Sequence, residues 1–233
     1  MKSNNLILLD RVIEEEAKNC SSEISAGLFF EYFCANLLLK NYDLSKEELL
    51  NGIVDGKDDG GFDAVYIFVN GLLINDSEYI QSLKGGIDIE VVIITSKHAD
   101  TFEQAVINSE YSTACEFFDL SRDNNNLTCP YNETLLDKRN IFIMLYTEKI
   151  QNVRNLALNY FFVSRGDENN IGENVKAKAD QLIIKTKELL SNSECSYSFL
   201  GCSSLLNLYR KPKNFNLSRI LWRWQRQCCK NTI

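Results

Sequence analysis

The stretch DGKDDGGFDAVYIFVNGLLI, residues 55–74, opens with three glycines and three aspartates in eight residues and then turns almost wholly apolar. Glycine reaches positive φ without steric cost and aspartate hydrogen-bonds its own backbone, so residues 55–62 read as a tight turn. The β-branched and aromatic run that follows is broken by Asn70-Gly71, the strongest short-range hairpin signal. Strands are therefore expected near 62–69 and 72–75. Farther on, Gly85-Gly86 introduces IDIEVVIITSK (87–97), whose centre is apolar on both faces, as in a central strand covered on both sides.

Working outward, Leu6, Leu9, Val12 and Ile13, and then Ile24, Leu28, Phe29, Tyr32, Phe33, Leu37 and Leu38, recur at three- and four-residue spacing and predict two helices. Ser45 followed by Glu48 has the form of a capping box opening a short third helix that Gly52 ends. Beyond the central strand the pattern predicts a helix over 99–120, a polar loop, a helix over 135–157, a strand over 158–163, a Lys-rich amphipathic helix over 175–190, a strand over 196–200 and a last helix over 202–209. That order implies an α/β fold with a mixed central sheet flanked by helices.

At 233 residues, 45% hydrophobic and with two prolines, the chain can bury a sizeable core, and residues 1–210 are expected to form one domain. Charge is uneven. All 32 acidic residues and 18 of the 25 basic ones lie in residues 1–194, a net of −14, whereas Arg210, Lys211, Lys213, Arg219, Arg223, Arg226 and Lys230 follow with no acid among them. Both tryptophans, Trp222 and Trp224, also fall late, so residues 211–233 read as a basic C-terminal extension, with a truncated or frame-shifted origin as one explanation. The tail offers Arg and Trp to nucleic acid or a short amphipathic face to a membrane. An acidic body does not by itself favour phosphate binding.

The longest apolar run near the amino terminus, Leu6 to Leu9, is too short for a signal-peptide core, and nothing approaches the ~20 apolar residues of a spanning helix. A cytoplasmic protein without a membrane partner is expected. The eight cysteines show no CxxC spacing and read as reduced thiols, and with His98 as the single histidine a Cys/His zinc site is not expected. Glu14, Glu15 and Glu16 read as a solvated helix face.

Hydrolysis of a phosphodiester calls for oxygen ligands that hold Mg²⁺ (or Mn²⁺) against the phosphate and a cation that stabilises charge. Asp63 begins the first strand and Lys97 ends the central one, so the two can converge at one end of a sheet. The two-residue period of a strand places Thr95 on the Lys97 face and Glu90 on the other. Glu31 sits in the apolar segment LFFEYFCANLLL (28–39), where an inward carboxylate needs a partner. Taken singly, the DDGGFD aspartates read as turn residues, Lys97 as a strand-end lysine and His98 as its bystander.

The ordered set of an aromatic-Glu-aromatic helix (FFEYF, 29–33), DGGFD entering a strand, an Asn-Gly hairpin and a strand ending in lysine resembles the amino-terminal part of abortive infection phage resistance (AIPR) family proteins, with weaker likeness to about residue 210. The resemblance implies a restriction-endonuclease-like α/β fold, a role in bacterial phage defence, and metal-dependent cleavage of DNA or RNA. It makes Asp63 the metal-binding aspartate, Glu31 the helix-borne metal carboxylate and Lys97 the motif lysine. Thr95 stands where the family carries glutamine or glutamate, and Ala64 replaces a usual glycine. Two readings follow: a Mg²⁺-dependent nuclease, and a catalytically inactive nuclease-fold sensor or interaction module, with homo-oligomerisation left open.

Overall fold

The computed structural model describes residues 3–20, 24–54 and 56–213. Asp55 of the turn and the part of the basic tail from residue 214 onward, with Trp222 and Trp224, lie outside the described residues. Helix α1 (Asn4–Cys20) buries Leu6, Leu9 and Ile13, and α2 (Ala26–Leu38) buries Phe29, Phe30, Phe33, Cys34 and Leu37, following the apolar spacing in the sequence. The capping box forms: the Ser45 hydroxyl accepts from the Glu48 amide, the Glu48 carboxylate accepts from the Ser45 amide, and α3 (Lys46–Leu50) follows.

Strands β1 (Ala64–Val69) and β2 (Leu72–Leu73) are joined by Asn70 and Gly71 at φ 51° and 79°, the left-handed pair that matches the strand twist in a two-residue hairpin. β2 is shorter than the expected 72–75. The Ile74 amide still donates to the Ile67 carbonyl, but Asp76 then caps the short helix α4 (Ser77–Ser82), an element the sequence reading lacked. β3 (Ile87–Lys97) lies antiparallel to β1, while β4 (Val153–Ser164) and β5 (Glu194–Leu200) extend the sheet in parallel, giving the order β2-β1-β3-β4-β5.

Period two along β3 divides the core. Ile87, Ile89, Val91 and Ile93 join one hydrophobic cluster with α5 (Gln104–Phe117), α6 (Glu133–Glu148) and α7 (Glu173–Leu189); Val92 and Ile94 join the other with α1, α2 and α8 (Cys202–Arg210). The molecule is α/β, with a five-stranded mixed sheet between helices. Among the described residues no helix is long and apolar enough to cross a membrane, and the six cysteines there are free thiols.

Two boundaries differ from expectation. Residues 99–103 are not helical: the carbonyls of Ala99 and Thr101 accept from the Ser164 hydroxyl, and Ala99 also accepts from the Arg165 amide, so this segment clamps the end of β4. The helix expected over 135–157 stops at Glu148, because residues 153–157 are needed to pair with the start of β3. In residues 156–163 the apolar run LALNYFFV fits helix and strand periods alike, and the eleven-residue β3 beside it decides the outcome.

A glycine fixes how α3 leads into the sheet. A Cβ at Gly52 would collide with the ring of Tyr66, which is fully buried and donates its hydroxyl to the Leu49 carbonyl at 2.6 Å. Overpacking of this kind costs about 1–3 kcal/mol. Gly52→Ala should therefore lower the denaturation midpoint, whereas Gly27→Ala in α2, where an added Cβ meets nothing within 4 Å, should be neutral or stabilising. Equal effects of the two changes in chemical denaturation would contradict this packing.

Candidate active site at the Asp63–Lys97 pair

The glycine-rich turn is held from within at its amides and by other elements at its carbonyls. Asp58, Gly60 and Gly61 all have positive φ, at 64°, 65° and 85°. The Asp59 carboxylate accepts from the Gly61 amide at 2.7 Å, the Asx geometry that favours aspartate in turns. The Gly60 carbonyl accepts from the Thr113 hydroxyl and the Gly61 carbonyl from the Thr95 hydroxyl, both at 2.6 Å. A side chain on Gly60 would strike Thr113, and one on Gly61 would come within 2.9 Å of the Ser109 Cβ, so this backbone lies directly against α5.

The turn delivers Asp63 to the last residues of β3. The register Ala64↔Ile94 sets Asp63 beside residues 95–97, where its carboxylate accepts from the Ser96 amide at 2.7 Å and from the Lys97 ammonium at 3.2 and 3.3 Å. Asp63 is 3% exposed and the Lys97 side chain 41%. Burial raises the Asp63 carboxyl above the usual carboxylate range, and Lys97 and the Ser96 amide pull it back only in part. The Ser96 hydroxyl is buried without a hydrogen-bond partner.

Lys97 faces an open cleft of about 750 Å³ between the turn (Asp58 to Gly61), the outward face of α5 (Ala105, Asn108, Ser109, Ser112) and the loop at Cys129 to Tyr131. That loop, read in the sequence only as polar, is shaped by two buried charges on the helices that flank it. Arg139 donates to the carbonyls of Glu116, Asp119 and Arg122, while Glu116 accepts from the Thr128 amide, the Arg122 guanidinium and the Tyr131 hydroxyl. Those bonds hold the Glu116 carboxyl below its ordinary value against the burial that opposes them.

The expected residues fall as follows. Asp63 and Lys97 meet. Thr95 shares the Lys97 face, fully buried, but its hydroxyl proton goes to the Gly61 carbonyl. Glu90 faces the other way and accepts from Tyr42 and Asn159. Glu31 comes from α2, on the side of the sheet opposite α5; burial raises the neighbouring Cys34 thiol, and the charges of Asp63 and Glu31 add to that. His98 packs edge-on against Phe30, and burial, then Arg165, lower its pKa, so it belongs to the α2 face. Among the described residues no group of three or more His, Cys, Asp or Glu is arranged to hold a metal ion.

Sequence reasoning missed Glu110. On α5 it sits 1% exposed, accepting from the Tyr197 hydroxyl of β5 at 2.7 Å, with its backbone amide against Gly61, whose carbonyl Thr95 holds. Burial pushes its carboxyl up to about 7; the Tyr197 and Thr95 hydroxyls oppose this, Asp63 adds to it, and Lys97 lowers it. A signal was present: Ile107, Glu110, Thr113 and Phe117 follow the helical period, so a carboxylate occupies the buried stripe.

Thr95 thus ties β3, the turn and α5 together. Removing its hydroxyl leaves the Gly61 carbonyl unpaired, which costs about 1–3 kcal/mol. Thr95→Val should lower the melting temperature and Thr95→Ser should largely retain it; a Val variant as stable as wild type in calorimetry would show that this bond holds nothing. Searches of protein-family models, of curated proteins and of solved structures find no match to the chain.

Proposed function

We propose that this protein is a metal-dependent nuclease of the restriction-endonuclease-like kind, acting on DNA or RNA in a bacterial phage-defence setting, as the AIPR resemblance implies. The observation that carries the reading is the pairing of Asp63 with Lys97, which lines an open cleft of about 750 Å³. The antiparallel β1–β3 pair followed by parallel β4 is compatible with that fold class.

The donor chemistry suits a divalent cation. Two buried carboxyls, Asp63 and Glu110, are both raised by burial with the Lys97 ammonium as their shared opposing charge, and the orphaned Ser96 hydroxyl lies on the residue whose amide holds Asp63. Mg²⁺ takes few protein ligands and fills its shell with water and substrate oxygens, so a set of three is not needed. Asp63, with Glu31 from the resemblance, would hold the ion, which when bound supplies Lewis-acid polarisation of the phosphate.

The remaining chemistry belongs to the chain. Lys97, half in solvent and tethered to Asp63, presents its ammonium to a phosphate oxygen in the cleft and stabilises the negative charge that grows there. Asn108, Ser109 and Ser112, on the outward face of α5, offer a sugar-phosphate strand hydrogen bonds. With so acidic a body, attraction to a polyanion rests on Lys97, which shares the cleft with Asp58 and Asp59, and on the basic residues of the tail.

One observation favours a second reading, a catalytically inactive nuclease-fold sensor or interaction module: the hydroxyl at position 95 is committed to the Gly61 carbonyl rather than offered to the cleft. Cleavage decides between them. With Mg²⁺ or Mn²⁺ the purified protein should cut DNA or RNA, and Asp63→Ala or Lys97→Ala should slow cutting by about 10²–10³-fold. Cutting that ignores both substitutions, or its absence together with unmeasurable Mn²⁺ binding in calorimetry, would remove the nuclease reading.

A further inference from the structure

The Glu110 carboxylate has no role in the pattern that Asp63, Glu31 and Lys97 follow, yet it is placed where that pattern is short of an acid. Thr95 is the position that lacks one. Its side chain projects from β3 toward α5 and holds the Gly61 carbonyl at 2.6 Å, a Cβ on that Gly61 would lie 3.4 Å from the Glu110 amide, and the pairing of β1 with β3 sets Asp63 across from Thr95, so Glu110 is the carboxylate that α5 brings to this place, within electrostatic reach of Asp63 and Lys97. Threonine is short enough to leave room for that approach.

Two features argue against an incidental buried acid. Glu110 is fixed from a third element: the Tyr197 hydroxyl donates to it at 2.7 Å, and the Tyr197 ring is itself held between Tyr160, stacked at 6.0 Å, and Phe199 at 5.0 Å. Isolated buried carboxylates are costly and normally find a cationic partner. Here the cation within reach is Lys97, which is already bonded to Asp63, so two carboxylates share one ammonium. That imbalance favours an added positive charge at this place.

We propose that Glu110 supplies, from α5, the carboxylate that the strand lacks at Thr95, and that Asp63 and Glu110 together form the acidic pair of the site, with Tyr197 as the residue that positions Glu110. This rests on the nuclease reading. The acid has moved from strand to facing helix, and the hydroxyl left on the strand anchors the glycine turn.

The test measures Mn²⁺ affinity by calorimetry alongside cleavage, for the full chain and for Asp63→Ala, Glu110→Gln, Tyr197→Phe and the swap Thr95→Glu/Glu110→Ala. Glu110→Gln nearly preserves shape and can still accept from Tyr197. It should weaken Mn²⁺ binding by about 10–100-fold and slow cleavage in step, with Tyr197→Phe showing a smaller loss of Mn²⁺ affinity at unchanged net charge. The swap, which returns the acid to the strand, should recover much of the affinity that Glu110→Gln loses. Wild-type Mn²⁺ affinity in Glu110→Gln, with Asp63→Ala deficient, overturns the assignment and leaves the nuclease reading standing. A wild-type chain that neither binds Mn²⁺ nor cleaves overturns both. Should Glu110→Gln fail to fold, the swap decides: restored Mn²⁺ binding supports the proposal, and a folded swap without it refutes the proposal.

Discussion

The antiparallel register of β1 against β3 is the constraint from which the site follows. With Ala64 opposite Ile94, the residue entering β1 lies beside the last residues of β3, and Asp63 falls within reach of the Ser96 amide and the Lys97 ammonium. A slip of one residue would turn Lys97 to the opposite face and place the apolar set of β3 on the wrong sides of the sheet. Hydrophobic pattern and polar site therefore specify the same register. The Asn70-Gly71 turn fixes where β1 ends, and buried Tyr66 and Phe68 on one face and Val65 and Ile67 on the other leave it no freedom to slide.

The turn preceding Asp63 could have been a solvated loop. Two side chains and one backbone amide from other elements make it a wall of the cleft: Thr95 and Thr113 capture its carbonyls, and the backbone amide of Asn132 donates to the Asp58 carbonyl at 3.0 Å. Left-handed backbone at Gly60 and Gly61 permits both the tight reversal and the close seat on α5. The opposite wall rests on Arg139, whose guanidinium satisfies the carbonyl of Glu116 near the end of α5 and those of Asp119 and Arg122 in the loop that ends at Tyr131. A buried arginine fully engaged by carbonyls is a rigid brace, so both sides of the cleft are preorganised by hydrogen bonds rather than by apolar packing alone.

What could be read in the sequence was local. The hairpin, the capping box at Ser45 and Glu48, and the buried β3 each carry their signal within a few residues. The site pair was legible because Asp63 opens the first strand and Lys97 closes the central one, which an antiparallel pairing brings to one end of the sheet. Glu110 was not, since its partner Tyr197 is 87 residues away and no local spacing joins them. The brace at Arg139 was hidden for the same reason, its carbonyls being distributed through a loop that reads as polar filler. The end of α6 and the start of β4 were misplaced because alternation in 153–157 is visible only once β3 is known to need a long partner.

Thr95 looks like a loss when the strand is read alone and like one half of an exchange when α5 is included. A glutamate at 95 with Glu110 in place would set three carboxylates, those of positions 63, 95 and 110, against the single ammonium of Lys97. In a buried setting each further like charge raises the cost of ionising its neighbours. On the proposed assignment the strand and the helix are alternative sources of one acid, and with Glu110 on the helix position 95 is better served by a small hydroxyl than by a further carboxylate. The hydroxyl also holds the Gly61 carbonyl, so a threonine at 95 both avoids electrostatic crowding and secures the turn.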